Sequence, residues 1–197
     1  MASTAQRSER RMGPVGSETW HAMLDGAEAV LRDEGHAALT SRRIAEQIGV
    51  KQRLVYYYFA TMDDLVIALF RRLSERELAR LTNASQAGLP LRELWNIATH
   101  TADGRLISEY MALANRIDDL RREVIHFIEE SRRIHVQALT AAIERSPAAS
   151  SLPAPALALL AASAALTINR EQQLGVSAGH ADALAAILAF LERVEPE

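Results

Sequence analysis

The 197-residue sequence has no cysteine, a single lysine among its 22 basic residues, and only 5% aromatic residues. Without cysteine there is no disulfide framework and no thiolate zinc site, and a reducing, cytoplasmic setting is expected. No apolar run approaches the roughly 18 residues that a membrane span needs. Residues 1–16 carry Arg7, Arg10 and Arg11 but no apolar segment, so a secretory signal is not expected and a disordered arm is. Strand signals are also missing. Valine, isoleucine and threonine nowhere alternate for long with polar residues, and no hairpin signal joins such runs. Positive charge is in short supply overall: 25 acidic against 22 basic residues give −3, which taken globally argues against a nucleic-acid partner.

Apolar residues, by contrast, make up 49% of the chain, ample for a core, and recur with helical spacing almost throughout. Nine helices are predicted, making an all-α chain. The first covers about residues 17–34, with Trp20, Met23, Leu24, Ala27, Val30 and Leu31 on one stripe and Gly35 as its stop. A short second helix runs from Thr40 as N-cap to Ile48, ahead of Gly49. A third covers 51–57. The fourth opens with Thr61 and Asp64 at capping-box spacing, Asp standing for the usual Glu. Residues 83–90, with Gly88 and Pro90, read as a loop between domains. Helices follow near 91–101, 105–116, 118–145, 156–174 and 180–194, interrupted at 146–155 by three prolines and three serines. The expected organisation is an arm (1–16), a three-helix unit (17–62), a connecting helix (63–82) and a larger helical bundle (83–197).

Two short helices about a glycine form a helix-turn-helix, whose second helix lies in the DNA major groove. Ile44, Ala45, Ile48, Val50, Leu54 and Val55 supply the contacts between them, and Gly49 permits the left-handed backbone at the turn. Arg42, Arg43, Lys51 and Arg53 against Glu46 give residues 40–62 a local charge of +3 inside an acidic protein. Lys51, Gln52 and Arg53 open the third helix, where side chains reach base edges. Arginine or lysine pairs with guanine, and Gln52 can make two hydrogen bonds to adenine. Tyr56, Tyr57 and Tyr58 offer hydroxyls to phosphates, and Thr40 and Ser41 offer hydroxyls and helix N-terminal N–H groups to another.

With these residues in place, the stretch from Leu39 to Leu65 resembles the TetR family of bacterial transcriptional regulators. The matching elements are Leu-Thr-Ser-Arg-Arg-Ile-Ala, the Ile-Gly-Val turn, Tyr-Tyr-Tyr-Phe and the Asp-Asp-Leu that follows. The resemblance implies DNA contacts from Thr40, Ser41, Arg42, Gln52, Tyr56, Tyr57 and Tyr58. The sequence departs from the family pattern at Met62, where a phosphate-binding lysine is usual, at Lys51, often a small hydroxyl residue, and at Tyr58, often histidine. Altered operator preference is the expected consequence. The resemblance further implies that the larger domain binds a small effector and dimerises, so that a repressor on a palindromic operator is released by ligand.

The last two helices carry broad apolar faces with small residues: Ala158, Ala162, Ala165 and Leu166, then Leu184, Ile187, Phe190 and Leu191. Paired with a symmetry mate they would make a four-helix dimer interface. Candidate lining for a mostly apolar effector comprises Trp95, His100, Tyr110, Met111, Asn115, Phe127, Ser131, His135, Asn169 and Gln173. His126 and Glu130 share a helix face, but no third metal ligand is identifiable, so no metal site is assigned. A P-loop and a His-Glu-x-x-His motif are absent. No catalytic residue and no cofactor is assigned, and the protein is expected not to be an enzyme. The alternative is a helical-bundle binding protein or enzyme whose N-terminal motif is only structural.

Overall fold

The computed structural model describes residues 13–100, 103–146 and 151–196. Arg7, Arg10 and Arg11 of the expected arm lie outside the described residues. Among those described, the regular structure is entirely helical. The helices are α1 (Glu18–Glu34), α2 (Ser41–Gln47), α3 (Gln52–Tyr58), α4 (Met62–Ser85), α5 (Pro90–His100), α6 (Gly104–Ala114), α7 (Asp118–Arg145), α8 (Ala154–Gln173) and α9 (His180–Val194), with a single 3-10 turn at His36–Ala38. Two compact units, Met1–Leu69 and Phe70–Glu197, divide inside α4. That helix continues to Ser85, so the expected loop at 83–90 shrinks to residues 86–89.

In the first unit the helix limits follow from local chemistry. Ser17 caps α1 by accepting from the Trp20 amide at 3.3 Å, and Gly35, at φ +82°, ends it in a conformation that L side chains rarely adopt. Thr40 caps α2 by accepting from the Arg43 amide at 3.2 Å. At the other end the Val50 amide reaches back to the Ala45 carbonyl (2.9 Å) and Gly49 to Glu46 (3.3 Å), a Schellman turn with Gly49 left-handed at φ +71°. Thr61 and Asp64 complete a reciprocal capping box at the start of α4, the Thr61 amide donating at 2.9 Å and the Asp64 amide at 3.0 Å. Met23, Leu24, Ala27 and Leu31 of α1 are buried, as are Ile44 and Ala45 of α2, Val55 of α3 and Leu65 of α4.

The second unit centres on a cluster from α4, α5, α7, α8 and α9: Leu81, Leu91, Leu94, Ile134, Leu139, Ala142, Ala158, Leu191 and Val194. One feature of it is long-range. Leu89 precedes α5 and carries no capping oxygen, and the buried Glu195 carboxylate takes that place. It accepts from the Leu91 amide at 3.0 Å and the Arg92 amide at 3.1 Å, while the Arg92 side chain returns to the Glu195 carbonyl and pairs with Glu192. The Asn169 amide of α8 donates to the Ala98 carbonyl of α5 at 2.8 Å, a second brace across this unit.

Candidate nucleic-acid interface

The candidate surface is the exposed side of α3 with the N-terminus of α2. Because α3 has only seven residues, few of its side chains serve packing: Val55 is buried and Leu54 half-buried, with Phe59 buried just beyond its end. Lys51, Gln52 and Arg53 are exposed at its start, as are Tyr56 and Tyr57 further along. These are the residues that the spacing assigned to base edges and phosphates.

The charges divide unequally. Arg43 turns back to the end of α1, where its Nε donates to both Glu34 oxygens at 2.9 and 3.1 Å and its Nη2 lies 2.7 Å from Oε1. The hydrogen bonds from Arg43 hold the Glu34 carboxyl below its ordinary range. Arg42 points to solvent and bonds Glu46 one turn on, at 2.8 Å, which raises its already high pKa. Lys51 and Arg53 make no ion pair with any described residue. The positive charge of this face that is not paired among the described residues therefore sits at the start of α3, in line with the major-groove end of a reading helix.

Ser41, expected at a phosphate, has its hydroxyl engaged within the chain. It is buried, and its hydroxyl donates to the Tyr56 oxygen at 3.1 Å and accepts from Gln52 Nε2 at 2.9 Å. Thr40 remains exposed. Tyr58 is half-buried, its ring lying edge-on to Tyr57 at 5.2 Å. Gly13 lies against these two rings and donates its N–H to the Tyr57 carbonyl at 2.7 Å. A Cβ on Gly13 would fall 2.5 Å from the Tyr58 ring. Met62 is half-buried at the first residue of α4.

Residues 23–69 match the sequence model of the family described as bacterial regulatory proteins, tetR family. This stretch, which holds the helix-turn-helix, is similar to the N-terminal domain of that family. Structures of TetR-like regulators extend the likeness over most of the chain. Escherichia coli NemR in its reduced form superposes with a TM-score of 0.74 at 18% identity, covering 86% of this chain and 96% of that one. A putative regulator of the TetR/AcrR family gives 0.75 at 16%, covering 89% and 100%. The Bacillus subtilis regulator FadR, in complex with stearoyl-CoA, gives 0.57 at 17%, covering 90% and 99%. At these identities the likeness establishes a TetR-like fold. No curated relative matches the sequence.

In this TetR-like chain some of the residues expected around an effector come together and others lie apart. Tyr110 is buried, with Phe70 edge-on at 5.0 Å, and Phe127 meets the same Phe70 ring at 6.0 Å. Ser131 stands one turn beyond Phe127, and its buried hydroxyl makes no hydrogen bond among the described residues. His135 bonds the Ser131 carbonyl at 2.7 Å, and Trp95 packs on the second unit's core. Asn169 is the brace to Ala98 already described. His100, Met111, Asn115 and Gln173 are exposed. An open cleft of about 490 Å3 lies elsewhere in this unit, between Ser85, Gln86, Pro90, Ile134, Ala138 and Arg145, and none of the ten lines it.

Of the residues expected at a dimer interface, Ala162 and Leu166 are exposed, and Leu184, Ile187 and Phe190 are half-buried. Ala158, Ala165 and Leu191 are buried within the chain's own core, which leaves them no surface to offer a symmetry mate. Leu159 and Leu160 of α8 and Leu188 of α9 are exposed instead. His126 is exposed and Glu130 is taken by Arg133 at 2.8 Å. Residues 175–179 spell Gly-Val-Ser-Ala-Gly, the spacing of a nucleophile elbow, which requires a strand-to-helix turn. Here the segment joins α8 to α9, and the adjacent His180 gives Nε2 to Glu171 at 2.8 Å.

Proposed function

We propose that the protein is a homodimeric transcriptional repressor that inserts α3 into successive major grooves of a palindromic operator and is released by a small, mostly apolar ligand in the second unit. The observation that carries this reading is the exposed row Lys51, Gln52, Arg53, Tyr56 and Tyr57 on a seven-residue helix spent on little else. Cations at the start of such a helix meet base edges, and tyrosine hydroxyls further along meet phosphates. Thr40, exposed at the N-terminus of α2, supplies a further phosphate contact.

Ligand release is supported by the B. subtilis regulator of like fold, which holds stearoyl-CoA. In this chain the aromatic group Phe70, Tyr110 and Phe127, with the buried hydroxyls of Tyr110 and Ser131, offers a largely apolar wall with polar groups to orient a ligand. A ligand acts only if it binds more tightly to a conformation that no longer matches the groove spacing.

The test is binding to duplex DNA from the gene's own upstream region, followed by fluorescence anisotropy. Arg42→Ala and Tyr57→Ala each remove about one phosphate or groove contact. Each should weaken binding about tenfold, with a shallower salt dependence for Arg42→Ala. Wild-type affinity in both variants would sink the reading.

A further inference from the structure

We propose that Ser41 is a positioning residue for base readout: from beneath α3 its hydroxyl fixes the Gln52 amide in the one orientation that matches adenine. The inference rests on the DNA-binding reading and adds to it a determinant of sequence preference. A serine hydroxyl has one proton to give. Ser41 spends it on the Tyr56 oxygen at 3.1 Å, so toward Gln52 it acts as acceptor, and Gln52 Nε2 donates at 2.9 Å. One amide N–H is thereby consumed. What Gln52 keeps for the groove is Oε1 as acceptor and the second N–H as donor, the complement of adenine N6–H and N7.

The terminal torsion of a glutamine is broad and nearly two-fold, so an untethered amide turns over readily. Turned over, it presents an N–H where guanine has its O6 acceptor and adenine its N6–H donor. Ser41 removes that freedom, and its own burial shields the accepting end of the bond from water. The same chain reaches the backbone of the DNA. By accepting from Ser41, the Tyr56 oxygen leaves its own proton directed elsewhere, and Tyr56 is exposed where a phosphate would lie. Base reading by Gln52 and phosphate contact by Tyr56 are thus linked through one buried hydroxyl.

The experiment uses the full chain and a randomised duplex library to select a preferred operator. The affinity for every single-base variant of that operator is then measured at one salt concentration. Wild type should favour adenine at one half-site position by about tenfold, and Gln52→Ala should erase the preference there. Ser41→Ala should cut it below about threefold at that same position, chiefly by admitting guanine, with the rest of the profile and the thermal melt unchanged. Ser41→Thr, which keeps the hydroxyl, should retain the adenine preference. Three results overturn the proposal: a wild-type profile at that position in Ser41→Ala, a uniform loss of affinity with the preference intact, or a wild-type preference for guanine there. If wild type selects no sequence at all, the DNA-recognition reading itself fails, an outcome distinct from a preferred operator that Ser41→Ala still reads.

Discussion

At Gly26 a Cβ would fall 2.5 Å from Ile48 Cγ2, closer than side-chain atoms approach one another. The glycine lets α1 lie against the end of α2, and α2 carries the turn into the reading helix. Alanine would favour the helix by up to about 1 kcal/mol. The contact it creates is with a β-branched methyl that cannot swing aside, however, and overpacking of this kind costs about 1–3 kcal/mol. Gly26→Ala should therefore lower stability, read as a urea midpoint that falls with an unchanged slope. A midpoint that rises would show that Ile48 yields. A glycine inside an otherwise regular apolar stripe was visible in the sequence, but its neighbour was not, because the crossing of α1 over α2 decides what it meets. Charge behaves alike. The local +3 counts Arg43, whose partner Glu34 lies outside residues 40–62 in sequence and beside Arg43 in space.

Among elements, α5 depends on a residue about a hundred positions away. Its first N–H groups have no local cap, and the Glu195 carboxylate serves two of them from beyond the end of α9. Glu195→Ala would leave the buried Leu91 amide without a partner and should cost about 1–3 kcal/mol in thermal or chemical denaturation. Glu195→Gln, keeping one acceptor, should lose less, and equal losses for the two would point to packing instead of capping. Such a contact leaves no trace in local patterning, whereas the limits of α1, α2 and α4 do, since Ser17, Gly35, Thr40, Gly49 and Thr61 act within a turn of themselves. Helix α8 shows the opposite difficulty. Its alanines and leucines occur all round, so spacing marks a helix but not which side faces the core. Ala158 and Ala165 prove to face inward, with Leu159, Leu160 and Leu166 outward.

For the whole molecule, the −3 net charge is an average over unlike parts: residues 1–80 carry +1 and residues 81–197 carry −4. Association with DNA must then be steered by the small cationic face at α3, so two such faces acting together matter more than the total charge. In the proposed dimer the outward leucines of α8 and α9 would supply the means: Leu159, Leu160, Leu166 and Leu188 are exposed, and a second copy of the chain would cover them by symmetry. Light scattering should accordingly give twice the 21.7 kDa chain mass. Leu160→Glu combined with Leu188→Glu should give single chains that stay folded, because neither side chain belongs to the core. A two-fold dimer of a helix-turn-helix protein reads half-sites about 34–36 Å apart, one turn of DNA. The double variant should lose most of its operator affinity without any change to α3, and about five extra base pairs between half-sites should do the same to wild type by turning one half-site to the far side of the duplex. Single chains in wild type, or undiminished binding by a monomeric variant, would remove the dimer from the mechanism and leave each α3 to find its groove alone.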